Sequence, residues 1–204
     1  MSLKLKKKKV TKIPPIEGGT YMAICVGVID VGEQYNQNFK NYSDKLMLLF
    51  EIPDETVDVD GEQKPRWLSK EYTASLNEKA KLYKDLVSWR AKPFSEEELD
   101  EEGDGFDVRS MAGKACMLTV IIREGKSGTY NQIEGISPMP KGLPSPKSDS
   151  EVLIFDIDDR DEAVLKKLPE WIQKKIKSST QYAENLPEQK LDFPEENEEE
   201  ECPI

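Results

Sequence analysis

The side chains of this sequence best placed to do chemistry are aromatic rings interleaved with cations, a combination suited to stacking on flat partners and contacting phosphates. The polar segment Glu33–Asp44 (EQYNQNFKNYSD) carries Tyr35, Phe39 and Tyr42, with Lys40 among them. Folding gains little from three rings in an exposed loop. They want either a local core or a partner such as a nucleic-acid base, whose π face gives roughly 1–3 kcal/mol per stack. A second group is Arg66, Trp67, Lys70 and Tyr72. Strand alternation sets Lys70 and Tyr72 on one face and Trp67 on the other, so one side must be interior, and Trp67 is the better core candidate. The third group is Arg123, Lys126 and Tyr130, around a turn hinged at Gly125 and Gly128.

Catalytic groups are scarce by comparison. The chain has no histidine, which removes the commonest general base and the commonest metal ligand. It has no GxxxxGK[ST] phosphate loop and no Cys-x-x-Cys pair. Cys25, Cys116 and Cys202 form no close pair, and their odd number speaks against a disulfide framework. The one compact carboxylate set, Asp156, Asp158, Asp159 and Asp161, stands at a helix start, where capping and the helix dipole account for it. The expectation is a protein that is not an enzyme and holds no metal or cofactor.

Positioning the aromatic–cation groups takes strands. Thr20–Val31 (TYMAICVGVIDV) alternates Met22, Ile24, Val26 and Val28 on one face, and Gly27 marks a bend or bulge. Lys45–Ile52 (KLMLLFEI) is apolar enough for burial on both sides, and Arg66–Leu76 is a third strand. A helix follows, with Asn77 as its cap, Leu82, Leu86 and Trp89 at helical spacing, and Pro93 as its stop. Lys114–Arg123 and Thr129–Ser137 are the fourth and fifth strands. Three strands, a helix and two strands is the order of the OB-fold. Its second and third strands, and its loops joining strands one to two and four to five, commonly bind nucleic acid. The three groups fall at those places. The expected fold class is mainly β: a five-stranded OB-fold barrel with a helix between strands 3 and 4, short C-terminal helices and a disordered acidic tail.

Around the barrel, residues 14–142, lie a basic arm at 1–13, a linker with a peripheral strand and helix segment at 143–180, and the tail at 181–204. Glu151–Asp156 reads as an added strand or extended segment. Leu165, Leu168, Ile172 and Ile176 share one helical face that Pro169 interrupts. A proline inside a helix costs about 3 kcal/mol, so two short helices are expected, the second opened by Pro169. The net charge of −11 is concentrated in the tail, where nine acidic residues from Gln181 to Ile204 oppose one lysine. No apolar run approaches the roughly 20 residues that cross a bilayer, and Val10–Ile16 is too short and polar for a signal peptide. A cytoplasmic protein without a membrane partner is expected.

Through GTYMAICVGVIDVG, NFKNYSDKLMLLFEIP, PRWLSKEYTASLNEKAKL and LPEWIQKKI, the sequence resembles a family of bacteriophage single-stranded-DNA-binding proteins encoded beside replication and recombination genes. The resemblance implies sequence-tolerant binding of single-stranded DNA in the host cytoplasm, with replication or recombination proteins as partners. The tail is also similar to those of bacterial single-strand-binding proteins. Glu198, Glu199, Glu200 and Glu201 lead to an apolar tip with Pro203 and Ile204, but Cys202 and the lack of a terminal phenylalanine depart from that pattern. Self-association is compatible with this reading. The alternative, from another class, is an acidic adaptor or DNA mimic that binds a basic host protein through Glu96–Asp107 and the tail.

Overall fold

β-branched and aromatic residues recur through the chain from Gly19 to Thr73, and in the computed structural model this stretch forms three long antiparallel strands. The structure describes residues 13–37, 39–59, 61–100, 103, 105–125 and 128–184. β1 (Gly19–Asn36), β2 (Asn41–Val59) and β3 (Glu62–Thr73) make two consecutive hairpins, and β4 (Ala115–Gly125) with β5 (Gly128–Ser137) makes a third. The strand order is β3-β2-β1-β4-β5, and β6 (Leu153–Phe155) adds in parallel to β1. β4 pairs with Gly19–Ile24 of β1, and β6 takes over that edge at Gly27–Ile29.

The outer strands approach one another through side chains. Lys70 Nζ donates to the Glu134 carbonyl at 3.1 Å, and Arg66 Nη2 donates to Asn131 Oδ1 at 3.3 Å. Among the described residues no backbone ladder joins β3 to β5, so the sheet curls into a half-barrel.

Two bulges shape β1. Its register to β2 slips between Cys25 and Gly27, and again between Asp30 and Gly32. The first slip overturns the expected single face of Met22, Ile24, Val26 and Val28. An extra residue in a strand reverses the alternation beyond it. Val28 therefore joins Ala23 and Cys25 in one cluster, while Ile24 and Val26 share the other with Ile29 and Val31. A Cβ at Gly27 would lie 2.8 Å from Leu49 Cδ1. Gly32 has φ +72°, and a Cβ there would lie 2.4 Å from Ile157 Cδ1, so both backbone and packing demand glycine.

Those clusters cover both faces of β1 and β2. On one face Leu46, Leu48, Phe50 and Ile52 meet Leu82, Leu86 and Trp89 of α1 (Lys81–Arg90). On the other, Met47 and Leu49 meet Leu153, Phe155, Leu165, Leu168, Ile172 and Ile176. The C-terminal segment, read from sequence as peripheral, thus supplies a second core layer.

The connection from β3 to β4 departs from the expected single helix capped by Asn77. It holds α1, the short α2 (Glu96–Leu99) and a 3-10 turn at Val108–Met111. Ala80 is the N-cap of α1, while Asn77 bends the preceding turn, its Oδ1 accepting from the Lys79 N–H at 3.0 Å. Ala91 ends the helix in the left-handed region, two residues before Pro93. Further on, α3 (Glu162–Lys167) and α4 (Glu170–Lys177) are the two short helices that Pro169 separates. α5 (Thr180–Glu184) places Gln181 and Tyr182 within the fold, beyond the expected start of the tail. Tyr182 is buried, its hydroxyl donating to Glu162 Oε1 at 2.8 Å. Among the described residues no helix is long and apolar enough to cross a membrane.

Candidate nucleic-acid interface

Cross-strand pairing carries the first aromatic group out of the sheet on an extended hairpin. The segment expected to be a loop from Glu33 to Asp44 is mostly ladder: Glu33 faces Asp44, Tyr35 faces Tyr42, and Asn36 faces Asn41. The two tyrosine rings are 5.0 Å apart and tilted, as directly opposed aromatics on one face prefer. Between Asn36 and Asn41 the chain reverses, with Asn36 Oδ1 accepting from the Phe39 N–H at 3.3 Å and Lys40 at φ +51°. No local core absorbs these rings. Tyr35 is 52% exposed, Tyr42 54% and Phe39 77%, and Lys40 lies beside them on the surface.

The stem of this hairpin is clamped by the C-terminal helices. The Glu33 N–H donates to Gln181 Oε1 at 2.6 Å, and Thr180 Oγ1 donates to Glu33 Oε2 at 2.7 Å. Gln34 Nε2 donates to the Val31 and Lys175 carbonyls, each at 3.0 Å, and Gln181 Nε2 donates to Asp44 Oδ1 at 3.3 Å. Of these residues, the sequence reading assigns Glu33, Gln34 and Asp44 to a loop and Gln181 to the tail. The clue was available in β1 itself, whose residues are apolar on both faces and so require a second covering layer.

The second group is placed inward. Arg66, Lys70 and Tyr72 are all buried, which corrects their expected role as exposed contacts for nucleic acid. Lys70 Nζ lies 2.6 Å from Asp85 Oδ2 and 5.6 Å from the centre of the Tyr72 ring. The Tyr72 hydroxyl donates to the same Asp85 oxygen at 2.8 Å, and burial, reinforced by Asp85, pushes its phenol far above the ordinary tyrosine range. Burial pulls Arg66 below its usual value, opposed by the charge of Glu55. Alternation did separate Trp67 from Lys70 and Tyr72, but both faces are covered: Trp67 packs half-buried against the C-terminal layer and donates to Glu51 Oε2 at 3.2 Å.

In the third group, Arg123 and Tyr130 face one another across the β4–β5 ladder, and both reach the surface. The Arg123 guanidinium is 3.8 Å from Glu134 Oε2, and Tyr130 lies against Gly125, where a Cβ would sit 3.1 Å from its ring. Lys126 lies outside the described residues. Since β4 pairs with the first residues of β1, with Val120 opposite Gly19, this hairpin and the Tyr35–Tyr42 hairpin lie at opposite ends of β1. The structure therefore brings Tyr35 and Tyr42 together at one hairpin and Arg123 and Tyr130 at the other, but does not join the two groups.

Compared with family models and with curated proteins, the sequence matches none.

The acidic stretches have largely structural roles. Asp54–Glu62 forms the end of the β2–β3 hairpin, in which Asp58 Oδ1 accepts from the Gly61 N–H at 3.0 Å. Glu98 completes a capping box with Ser95 and pairs with Arg90; the Ser95 N–H first, then Arg90, holds its carboxyl below the usual range. Asp107 caps the 3-10 turn and binds Arg109 at 2.9 Å. Asp161 accepts from the Ala163 and Val164 N–H groups at the start of α3, the capping role read from sequence. Among the described residues no group of three or more Asp, Glu or Cys side chains is arranged to hold a metal ion. The arm to residue 12 and the tail from residue 185, with Glu198, Glu199, Glu200, Glu201, Pro203 and Ile204, lie outside the described residues.

Proposed function

We propose that this chain binds single-stranded DNA without catalysing a reaction, as an OB-fold protein of the bacteriophage single-stranded-DNA-binding kind. The observation that carries the reading is the β1–β2 hairpin. It presents three exposed rings and a lysine from a stem fixed by hydrogen bonds on both strands. Rings held in this way stack on bases with little further ordering cost, and stacking tolerates any sequence because every base has a π face. The strand order β3-β2-β1-β4-β5 is the ladder order of an OB barrel, and the Arg66 and Lys70 contacts draw its two outer strands together; both support the reading.

Binding is centred on Tyr35, Phe39, Lys40 and Tyr42, and Arg123 and Tyr130 extend it to the other hairpin. Arg66, Lys70 and Tyr72 support the sheet rather than touching the ligand. The acidic tail follows α5, whose Thr180 and Gln181 grip the hairpin stem, and its carboxylates compete with phosphates for the hairpin surface. Once displaced by DNA, the tail is available to replication or recombination proteins.

Fluorescence anisotropy tests this with a labelled oligo-dT longer than the roughly 16 nucleotides that one OB-fold covers at most. The full-length chain binds, and log affinity falls with log salt by about 0.7 per phosphate neutralised. A chain ending at Glu184 binds several-fold more tightly at low salt. Failure of both proteins to bind at low salt contradicts the reading and leaves the acidic adaptor to be tested.

A further inference from the structure

A groove of about 720 Å³ lies on the outer face of the sheet, between the β2–β3 hairpin and α4. Val57, Val59, Trp67, Leu168, Trp171 and Ile172 form its apolar lining. Trp171 is 52% exposed there, although its neighbour Ile172 is fully buried. An exposed indole contiguous with an apolar floor forms a patch of the kind that partners cover, unlike an isolated surface hydrophobe.

The chain itself leads to this groove. Ile13 lines it and also lines the hollow on the other side of the hairpin, beside Glu55 and Asp58. The residues just before Ile13, LKLKKKKVTK from Leu3 to Lys12, combine three apolar side chains with six lysines. Ten extended residues reach at most about 35 Å, enough to follow the groove from its edge. The hollow that Ile13 also lines carries Glu55 and Asp58, opposite in sign to the arm's lysines, while the charged side chains lining the groove itself, Lys64 and Lys167, are paired with Glu62 and Glu151. Covalent attachment at Ile13 gives this segment a high effective concentration that a separate molecule lacks.

We propose that the groove seats residues 3–12 of the same chain. Leu3, Leu5 and Val10 occupy the apolar floor, and the lysines run along the hairpin carboxylates. This assignment does not depend on the DNA reading.

Paramagnetic broadening tests it in the full chain carrying Ser2→Cys and Cys202→Ser, with a nitroxide at position 2. Cys25 and Cys116 are buried, and burial pushes the Cys25 thiol up to about 12, so neither takes the label. The readout is the indole N–H signals of the three tryptophans. Trp67 and Trp171 broaden, whereas Trp89, packed in the opposite cluster, does not. Adding Leu3→Asp and Leu5→Asp, changes confined to the arm, abolishes the broadening. Equal effects on all three indoles, or none on Trp171, overturn the proposal. So does broadening that persists when label and isotope are on different molecules, since that assigns the seat to a second copy.

Discussion

Removing the ammonium of Lys70 leaves the carboxylate of Asp85, itself only 17% exposed, without its cation. Losing one partner of a buried ion pair typically costs about 3–5 kcal/mol, because the remaining charge stays desolvated. Lys70→Met is therefore expected to lower stability by about that amount in urea denaturation, while the folded fraction keeps its affinity for DNA. Asp30 presents the opposite case. Burial, helped by Asp156 and Asp44, raises its carboxyl above the ordinary range, against the hydrogen bond from the Gly32 N–H. The folded chain then holds this proton to higher pH than the unfolded chain, so stability falls as pH rises from the unfolded to the folded pKa and stays lowered above it. Asp30→Asn keeps the acceptor for Gly32 and discards the charge. Thermal melts should show a higher Tm than wild type at pH 7 and no gain below about pH 4, where Asp in the unfolded chain is protonated.

At the scale of elements, Gly32 couples the sheet to its second layer. Gly32→Ala forces a side chain into a left-handed backbone position and against Ile157 and Ser179. A loss of more than about 1 kcal/mol is expected in urea, with the earliest hydrogen exchange in α4 and α5. Equal protection of those helices in both proteins would contradict the coupling. The apolar strands and the paired C-terminal helices were legible in the sequence because Leu46–Ile52 and the Leu165–Ile176 stripe bury what their periods predict. The hairpin extensions were not. Glu33–Asn36 and Asn41–Asp44 are polar, and cross-strand pairing together with contacts from residues over 130 positions away, rather than composition, holds them as strands. Gly61, set between the β-favouring Val57 and Val59 and the third strand, was a readable hairpin signal. In the candidate site, the three rings stood out by residue type, while the choice between a local core and an exposed position was left open. The burial of Lys70 and Tyr72 was not legible, because alternation assigns residues to faces without showing which face remains open.

For the whole molecule, both faces of β1 and β2 are largely covered, so exposed rings on these strands are found at the β1–β2 hairpin. The β1–β2 hairpin combines the most exposed ring among the described residues with two paired tyrosines, and the proposed recognition of DNA is centred there. The most direct measurement is anisotropy of labelled oligo-dT with wild type and with the Tyr35→Ala, Phe39→Ala, Tyr42→Ala triple variant, at one low salt concentration and with matched thermal melts. Each lost stack is worth roughly 1–3 kcal/mol, so affinity should fall at least about a hundredfold while Tm changes little. Unchanged affinity in a folded triple variant would contradict the account and move the binding surface away from this hairpin.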